Sequence, residues 1–259
     1  MHDQTSNIKS IPSTDTLAIR AKVAIVVPAT NTVVQPEMEL MRPPGVTNHV
    51  TRMVLPPRPY DDQEAYKKAL ETEKGNLEVA LASVLVCEPH VVAHGHSIHS
   101  FRGDANRALE EEKRLESLCG IPFITPSRAV LAGLEAIGNP SKIAILTPYW
   151  PPADEMITNF FEACGYEVTK TYGMKSVGPT AVARFTAEEI ISAFEQADHP
   201  QAEALIHVGT NLPVSALTAL IEAKFGKPLI GVNVATYWWA LRKIGILDPL
   251  HGMGIMAQK

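Results

Sequence analysis

The sequence predicts an α/β protein made of two pseudo-symmetric, Rossmann-like halves. Each half is a parallel sheet with crossover helices, and the site lies in the cleft between them. Three observations point there. Short β-branched apolar runs alternate with amphipathic stretches, as strands joined by crossover helices do. One seven-residue phrase occurs twice, as KVAIVVP at 22–28 and KIAILTP at 142–148. An apolar strand that breaks at His and Gly also occurs twice, at 90–96 and 204–209.

The elements follow in order. KVAIVVP is a strand closed by proline, and VTNHVTRMVL (46–55) alternates in period two. Between Asp61 and Val86, Tyr66, Ala69, Leu70, Leu77, Ala80, Leu81, Val84 and Leu85 recur at helical spacing. PHVVAHG (89–95) is a short buried strand. GDANRALEEEKRLESLCG (103–120) is a helix with an acidic face and a glycine stop. IPFIT (121–125) is a strand, and PSRAVLAGLEAIG (126–138) a helix with Pro at its start and Gly at its end. The pattern then restarts. KIAILTP, YEVTKTYG (166–173), EALIHVG (203–209) and KPLIGV (227–232) are strands. PADEMITNFFEACG (152–165), AEEIISAFEQA (187–197), SALTALIEAKFG (215–226) and ATYWWALRKIG (235–245) are helices. The expected division is a loose tail at 1–20, a first half at 21–124 plus 230–246, a second half at 125–229, and a tail at 247–259. That last tail either covers a partner subunit or the site, or is disordered.

Composition narrows the function. Hydrophobic residues make up 46% of the 259, enough for a sizeable core. The net charge is −5 with both signs interspersed, and no basic tract exists to neutralise phosphates, so nucleic acid is not an expected partner. No apolar run reaches the roughly 18 residues of a membrane span, and the N-terminus lacks the apolar segment of a signal peptide. Cys87, Cys119 and Cys164 have no metal-binding spacing, and a cytoplasmic setting fits. Walker A, G-x-G-x-x-G and G-x-S-x-G patterns are absent, which argues against an NTPase, a dinucleotide oxidoreductase and an α/β-hydrolase.

Ligands of such sheets bind beyond the carboxyl ends of strands, so four loops matter: PATN (28–31), HGHSIHS (94–100), TPYW (147–150) and HVGTN (207–211). Thr30 and Asn31 offer a hydroxyl and an amide for a carboxylate, or simply a helix cap. The histidine loop offers His94, His96 and His99 as general acid/base, as metal ligands, or as hydrogen-bonded loop residues. Tyr149 can donate to an oxyanion or lie as a lid over the core. Gly209 lets a ligand approach the backbone, with Thr210 and Asn211 beside it, and Asn233 is a further strand-end amide. His207, deep in an apolar strand, reads as a hydrogen-bonded core residue.

Four segments in this order resemble the aspartate/glutamate racemase superfamily, in its maleate isomerase and arylmalonate decarboxylase branch: VVPATN, SFRG (100–103), LTPY (146–149) and TYWWALR (236–242). The resemblance spans roughly residues 20 to 246. It implies two α/β halves around one site, a homo-oligomer, and a shell for a substrate carboxylate at Pro28, Thr30, Asn31, Ser97, Tyr149, Thr210 and Asn211. Relatives keep a cysteine at one or both of two strand ends. Those positions align here with His96 and Gly209, so both thiols are replaced.

Without thiols, a carboxylate-binding cleft and one imidazole remain. A single acid/base serves chemistry that moves one proton, such as decarboxylation through an enolate-like intermediate, elimination, or hydrolysis by water activated at His96. The expected activity is therefore cysteine-independent action on a small carboxylate or amide-like acid, with His96 and Tyr149 as catalytic groups and no cofactor. Two alternatives stand beside it: a metal-assisted hydrolase using the His94, His96 and His99 cluster, and a non-catalytic carboxylate-binding protein.

Overall fold

The computed structural model of the chain describes residues 15–54, 64 and 76–259. The first sheet is formed by β1 (Ala21–Pro28), β2 (Val46–Met53), β3 (Val91–His94) and β4 (Phe123–Ile124) in the order β2-β1-β3-β4. The second is formed by β5 (Lys142–Thr147), β6 (Glu167–Gly173), β7 (Ala204–His207) and β8 (Leu229–Gly231) in the order β6-β5-β7-β8. All pairings are parallel. The two orders are the same, so the repeated phrases mark a structural repeat. Its register is explicit: Val26 pairs with His94, and Leu146 with His207.

The helices are α1 (Val34–Met41), α2 (Leu77–Leu85), α3 (Ala105–Cys119), α4 (Pro126–Ala136), α5 (Pro151–Ala163), α6 (Ala187–Ala197), α7 (Thr218–Phe225) and α8 (Val232–Lys243). Of the helix expected between Asp61 and Val86, α2 is the described part; most of the remainder lies outside the described residues. Helix ends follow local chemistry. The Asp104 carboxylate accepts the Arg107 N–H at the start of α3, and Gly120 adopts φ 71° at its end. At α6, Thr186 and Glu189 form a reciprocal capping box.

Both sheets share one core. Val23, Ile25 and Val27 of β1, with Ile143 and Ile145 of β5, belong to a single apolar cluster completed by α1, α4, α5 and α8. Ala24, Val26 and Val92 point the other way, under α2 and Leu115 of α3. Ala144, Leu146 and Leu205 lie under α6 and Ile221. Central strands are thus buried on both faces, which is why they read as continuous apolar runs. Phe101, just past the histidine loop, stacks its ring against Phe160 and Phe161 of α5 at 5.3 and 5.6 Å. That contact fastens the first half's loop to the second half.

The segment 247–259 folds back on its own chain. Met253 and Met256 are buried, and Trp238 Nε1 and Arg242 donate to the Lys259 carbonyl. Arg20, assigned to the leading tail, donates to the Asp248 carboxylate at 2.9 Å. Among the described residues no helix is long and apolar enough to cross a membrane.

Candidate functional site

The site is assembled at the carboxyl ends of β1, β3, β5 and β7. After Pro28 the chain turns, and Asn31, 3% exposed, occupies the turn. Its Oδ1 accepts the N–H groups of Val33 and Val34 at 3.0 and 2.9 Å, which caps α1. Its Nδ2 donates to Thr210 Oγ1 at 3.3 Å in the other half. One side chain therefore caps α1 and links to the loop after β7. Asn211 answers from the second half: its Oδ1 accepts Thr32 N–H at 2.9 Å, and its Nδ2 donates to the Thr30 carbonyl at 3.5 Å and the Pro179 carbonyl at 2.7 Å.

The histidine loop continues from β3. The strand ends at His94, so His96 lies beyond it rather than sharing its pleat. Gly95 donates to the Val26 carbonyl at 2.7 Å, and a Cβ there would stand 2.7 Å from Val27 Cγ1, which requires glycine. A single 3₁₀ turn, Ile98–Ser100, then brings Ser97 inward, fully buried. Ser97 Oγ lies 3.0 Å from the Tyr149 hydroxyl and accepts the Thr210 N–H at 3.4 Å.

The three imidazoles pack together edge to face. The rings of His94 and His96 are 6.0 Å apart, and those of His96 and His99 5.2 Å, both edge to face. Among the described residues no three His, Cys, Asp or Glu side chains are placed to hold a metal ion. The metal-binding alternative thus finds no ligand set in this arrangement. Burial, reinforced by the charge of His99, pushes His94 down to about 4. Burial, then His94 and His99, holds His96 well below the ordinary imidazole range. At neutral pH His96 is therefore an uncharged ring, a base or neutral donor rather than an imidazolium.

In the second half, Thr147 Oγ1 accepts the Tyr149 N–H at 3.0 Å and donates to Asp154 at 2.5 Å, which shapes the TPYW turn. Burial pushes the Tyr149 phenol up to about 12, so it remains a proton donor. Gly209 leaves no room for a side chain: a Cβ would stand 2.4 Å from Pro148 Cδ. His207, 1% exposed, is in the core as expected, but its Nε2 has no hydrogen-bond partner among the described residues. Burial pushes it down to about 3.

Asn233 does not reach the shell as a free amide. Its Nδ2 is committed to the Thr210 carbonyl at 2.9 Å and to Glu37 Oε2 at 2.7 Å. Glu37 also accepts Ser215 N–H and Oγ–H at 2.8 and 2.6 Å. Sequence reasoning missed Glu37 and Ser215. The available signal was an acid within VQPEMELM at a position that α1 turns inward, between Val34 and Met41. Burial pushes the Glu37 carboxyl up, against the pull of its donors.

Cys87 donates its thiol to the Val84 carbonyl. Cys87 and Cys119 pack under the outer face of the first sheet, and Cys164 packs at the end of α5. Burial raises the thiol of each. By register, His96 and Gly209 are equivalent positions, each two residues past a paired strand-end histidine. Neither carries sulfur.

The chain is 23% identical to maleate isomerase of Pseudomonas putida over 253 residues, 91% of this chain and 96% of that protein. It is 30% identical to arylmalonate decarboxylase of Bordetella bronchiseptica over 157 residues, 58% of this chain and 63% of that protein. The fold superposes on Nocardia farcinica maleate cis-trans isomerase bound to Tris with a TM-score of 0.80 and 20% identity, covering 92% of this chain and 98% of that one. A family model described as arylmalonate decarboxylase matches residues 23–257, so two sheets in one repeated order and one interlocked shell between them are the form that this chain gives to the arylmalonate decarboxylase family, to which it belongs.

Proposed function

We propose that this chain is an enzyme of small carboxylates that works without a cysteine, by decarboxylase- or lyase-like or hydrolytic chemistry. The halves in this reading are 21–124 with 230–246, and 125–229, and the substrate enters between them. One observation carries the proposal: Asn31, Ser97, Tyr149 and Thr210, from four loops, form one hydrogen-bonded cluster, and His96 directly precedes Ser97 in the chain. The printed names of the relatives, maleate isomerase and arylmalonate decarboxylase, support a carboxylate substrate.

The chemistry follows from the groups. The Tyr149 and Ser97 hydroxyls and the Thr210 N–H exchange their mutual contacts for a substrate carboxylate and hold its charge as it becomes an enolate. In a decarboxylation the electrons of the breaking C–C bond enter that enolate as CO₂ leaves. The arriving anion lies beside His96 and favours its protonated form. The imidazolium then gives its proton to carbon and is reprotonated from solvent.

The test is a screen of substituted malonates, maleate-like diacids and their amides, followed by His96→Ala on the activity found. Loss of roughly 10² to 10⁴-fold in kcat is expected for a general acid/base. Nearly full kcat in His96→Ala would remove the role given to His96.

A further inference from the structure

We propose that Arg52 is a specificity-determining residue of this site, taking a second acidic group of the substrate beside the carboxylate held by the hydroxyls and amides. The inference rests on the carboxylate reading above. Register pairs Arg52 of β2 with Val27 of β1, and paired residues of parallel strands share a face. Val27 faces the core shared by the two sheets. On the same row of β2, Asn48 accepts the Tyr237 hydroxyl of α8 at 2.8 Å. Arg52 therefore leaves the carboxyl end of the first sheet on the side that faces the second half.

Its position there is held. Nη1 donates to the Asn31 carbonyl at 2.6 Å and to the Ala29 carbonyl at 3.4 Å. Asn31 is the residue whose side chain reaches Thr210, so the guanidinium is anchored to the shell itself. The Nε–Nη2 edge makes no hydrogen bond among the described residues. That edge is a planar fork matched to the two oxygens of a carboxylate.

Charge supplies the second argument. The shell consists of hydroxyls, amides and backbone N–H groups, burial keeps His94 and His207 uncharged, and His96 takes at most the one proton that it delivers to carbon. Neutral donors serve one carboxylate. A second acidic group in the same cleft needs a positive partner, because an uncompensated charge is expensive to bring out of water. Arg52 is the cation that the described hydrogen bonds tie to the shell.

The experiment is calorimetric titration of the full chain with two pairs of probes: malonate and malonamate, and maleate and maleamate. In each pair the second member exchanges one carboxylate for a neutral amide. Wild type is expected to bind each diacid roughly tenfold or more tighter than its monoamide, the size of a charge-assisted hydrogen bond. Arg52→Gln should lose most of that preference, because the diacid loses far more affinity than the monoamide. Arg52→Lys should recover part of it, with a point charge but no fork. The wild-type preference should also shrink with added salt. Arg52→Gln that keeps the preference overturns the proposal. Equal binding of diacid and monoamide by wild type also overturns it while the carboxylate reading stands. Binding of neither probe removes both. The side chain is exposed, so an unchanged melting temperature in Arg52→Gln shows that the loss is not unfolding.

Discussion

The hydroxyls of Ser97 and Tyr149 lie 3.0 Å apart, one delivered by the loop after β3 and the other by the loop after β5. The Thr210 N–H reaches the same serine oxygen at 3.4 Å. Each has an O–H or N–H to give, and the three groups meet at the Ser97 oxygen. Tyr149→Phe and Ser97→Ala should each lower kcat/KM by roughly 100-fold, as loss of one oxyanion donor does. The double variant should lose less than the product of the two, because the groups contact each other. A steady-state double-mutant cycle measures this; strictly multiplicative losses would show that the two act apart.

Burial places the ionisation of His96 well below the ordinary imidazole range. Because the proposed step delivers a proton from the imidazolium, kcat/KM should fall as pH rises from about 6.5 to 8, roughly tenfold per unit. Burial holds the Tyr149 phenol at about 12, so an alkaline limb below pH 10 does not come from it. An alkaline limb centred at 6.5 or higher in the free enzyme would contradict the buried, neutral His96.

His94 and His207 give stability a pH dependence. Burial lowers their folded values to about 4 and about 3, below the unfolded value. The unfolded chain therefore binds the extra protons as pH falls. Their contribution is fully present above about pH 6.5 and is lost as pH falls towards the folded values, on the order of 3 kcal/mol each by pH 4. Glu37 works in the opposite direction, since burial raises it, so wild type must be compared with a variant. Thermal melts of His207→Leu between pH 7 and 4.5 should lose less stability than wild type. Equal losses would refute the assignment.

Glu37 gathers three donors: Ser215 N–H, Ser215 Oγ–H and Asn233 Nδ2. Glu37→Ala leaves all three without an acceptor in the interior and should cost about 3–5 kcal/mol in denaturant unfolding. Glu37→Gln keeps the shape and one acceptor oxygen and should cost less. Asn233 also holds the Thr210 carbonyl, so ligand affinity should fall together with stability.

Restoring sulfur at Gly209 should fail. Pro148 stands 2.4 Å from the required Cβ, so Gly209→Cys and Gly209→Ala should destabilise alike, by about 1–3 kcal/mol of overpacking. A Gly209→Cys protein of wild-type stability would show that the turn relaxes readily.

Much of the fold was legible, and its limits have physical causes. Strands buried on both faces leave apolar runs that chain order turns into sheets, and the repeat at 22–28 and 142–148 marked β1 and β5 directly. Helix α1 was harder to see. It has eight residues with Pro36 among them, and its capping side chain, Asn31, lies two residues before the assigned cap, Val33. Asn31, Ser97, Tyr149 and Thr210 were legible as strand-end polar residues. Glu37 and Arg52 were not, because each is defined by partners outside its own segment.

Composition and pattern by themselves determined the α/β class, the duplicated halves, the loops that carry polar groups and the absence of cysteine at His96 and Gly209. These depend on local propensity and on which residues occur. The tertiary structure alone decided that Ser97 meets Tyr149 and Thr210, that Asn233 donates to Glu37, that the His94, His96 and His99 rings pack edge to face, and that Arg52 reaches the shell. Those facts join residues up to 196 positions apart. Burial then sets the charge state of each group, and burial belongs to the packed chain rather than to any segment of it.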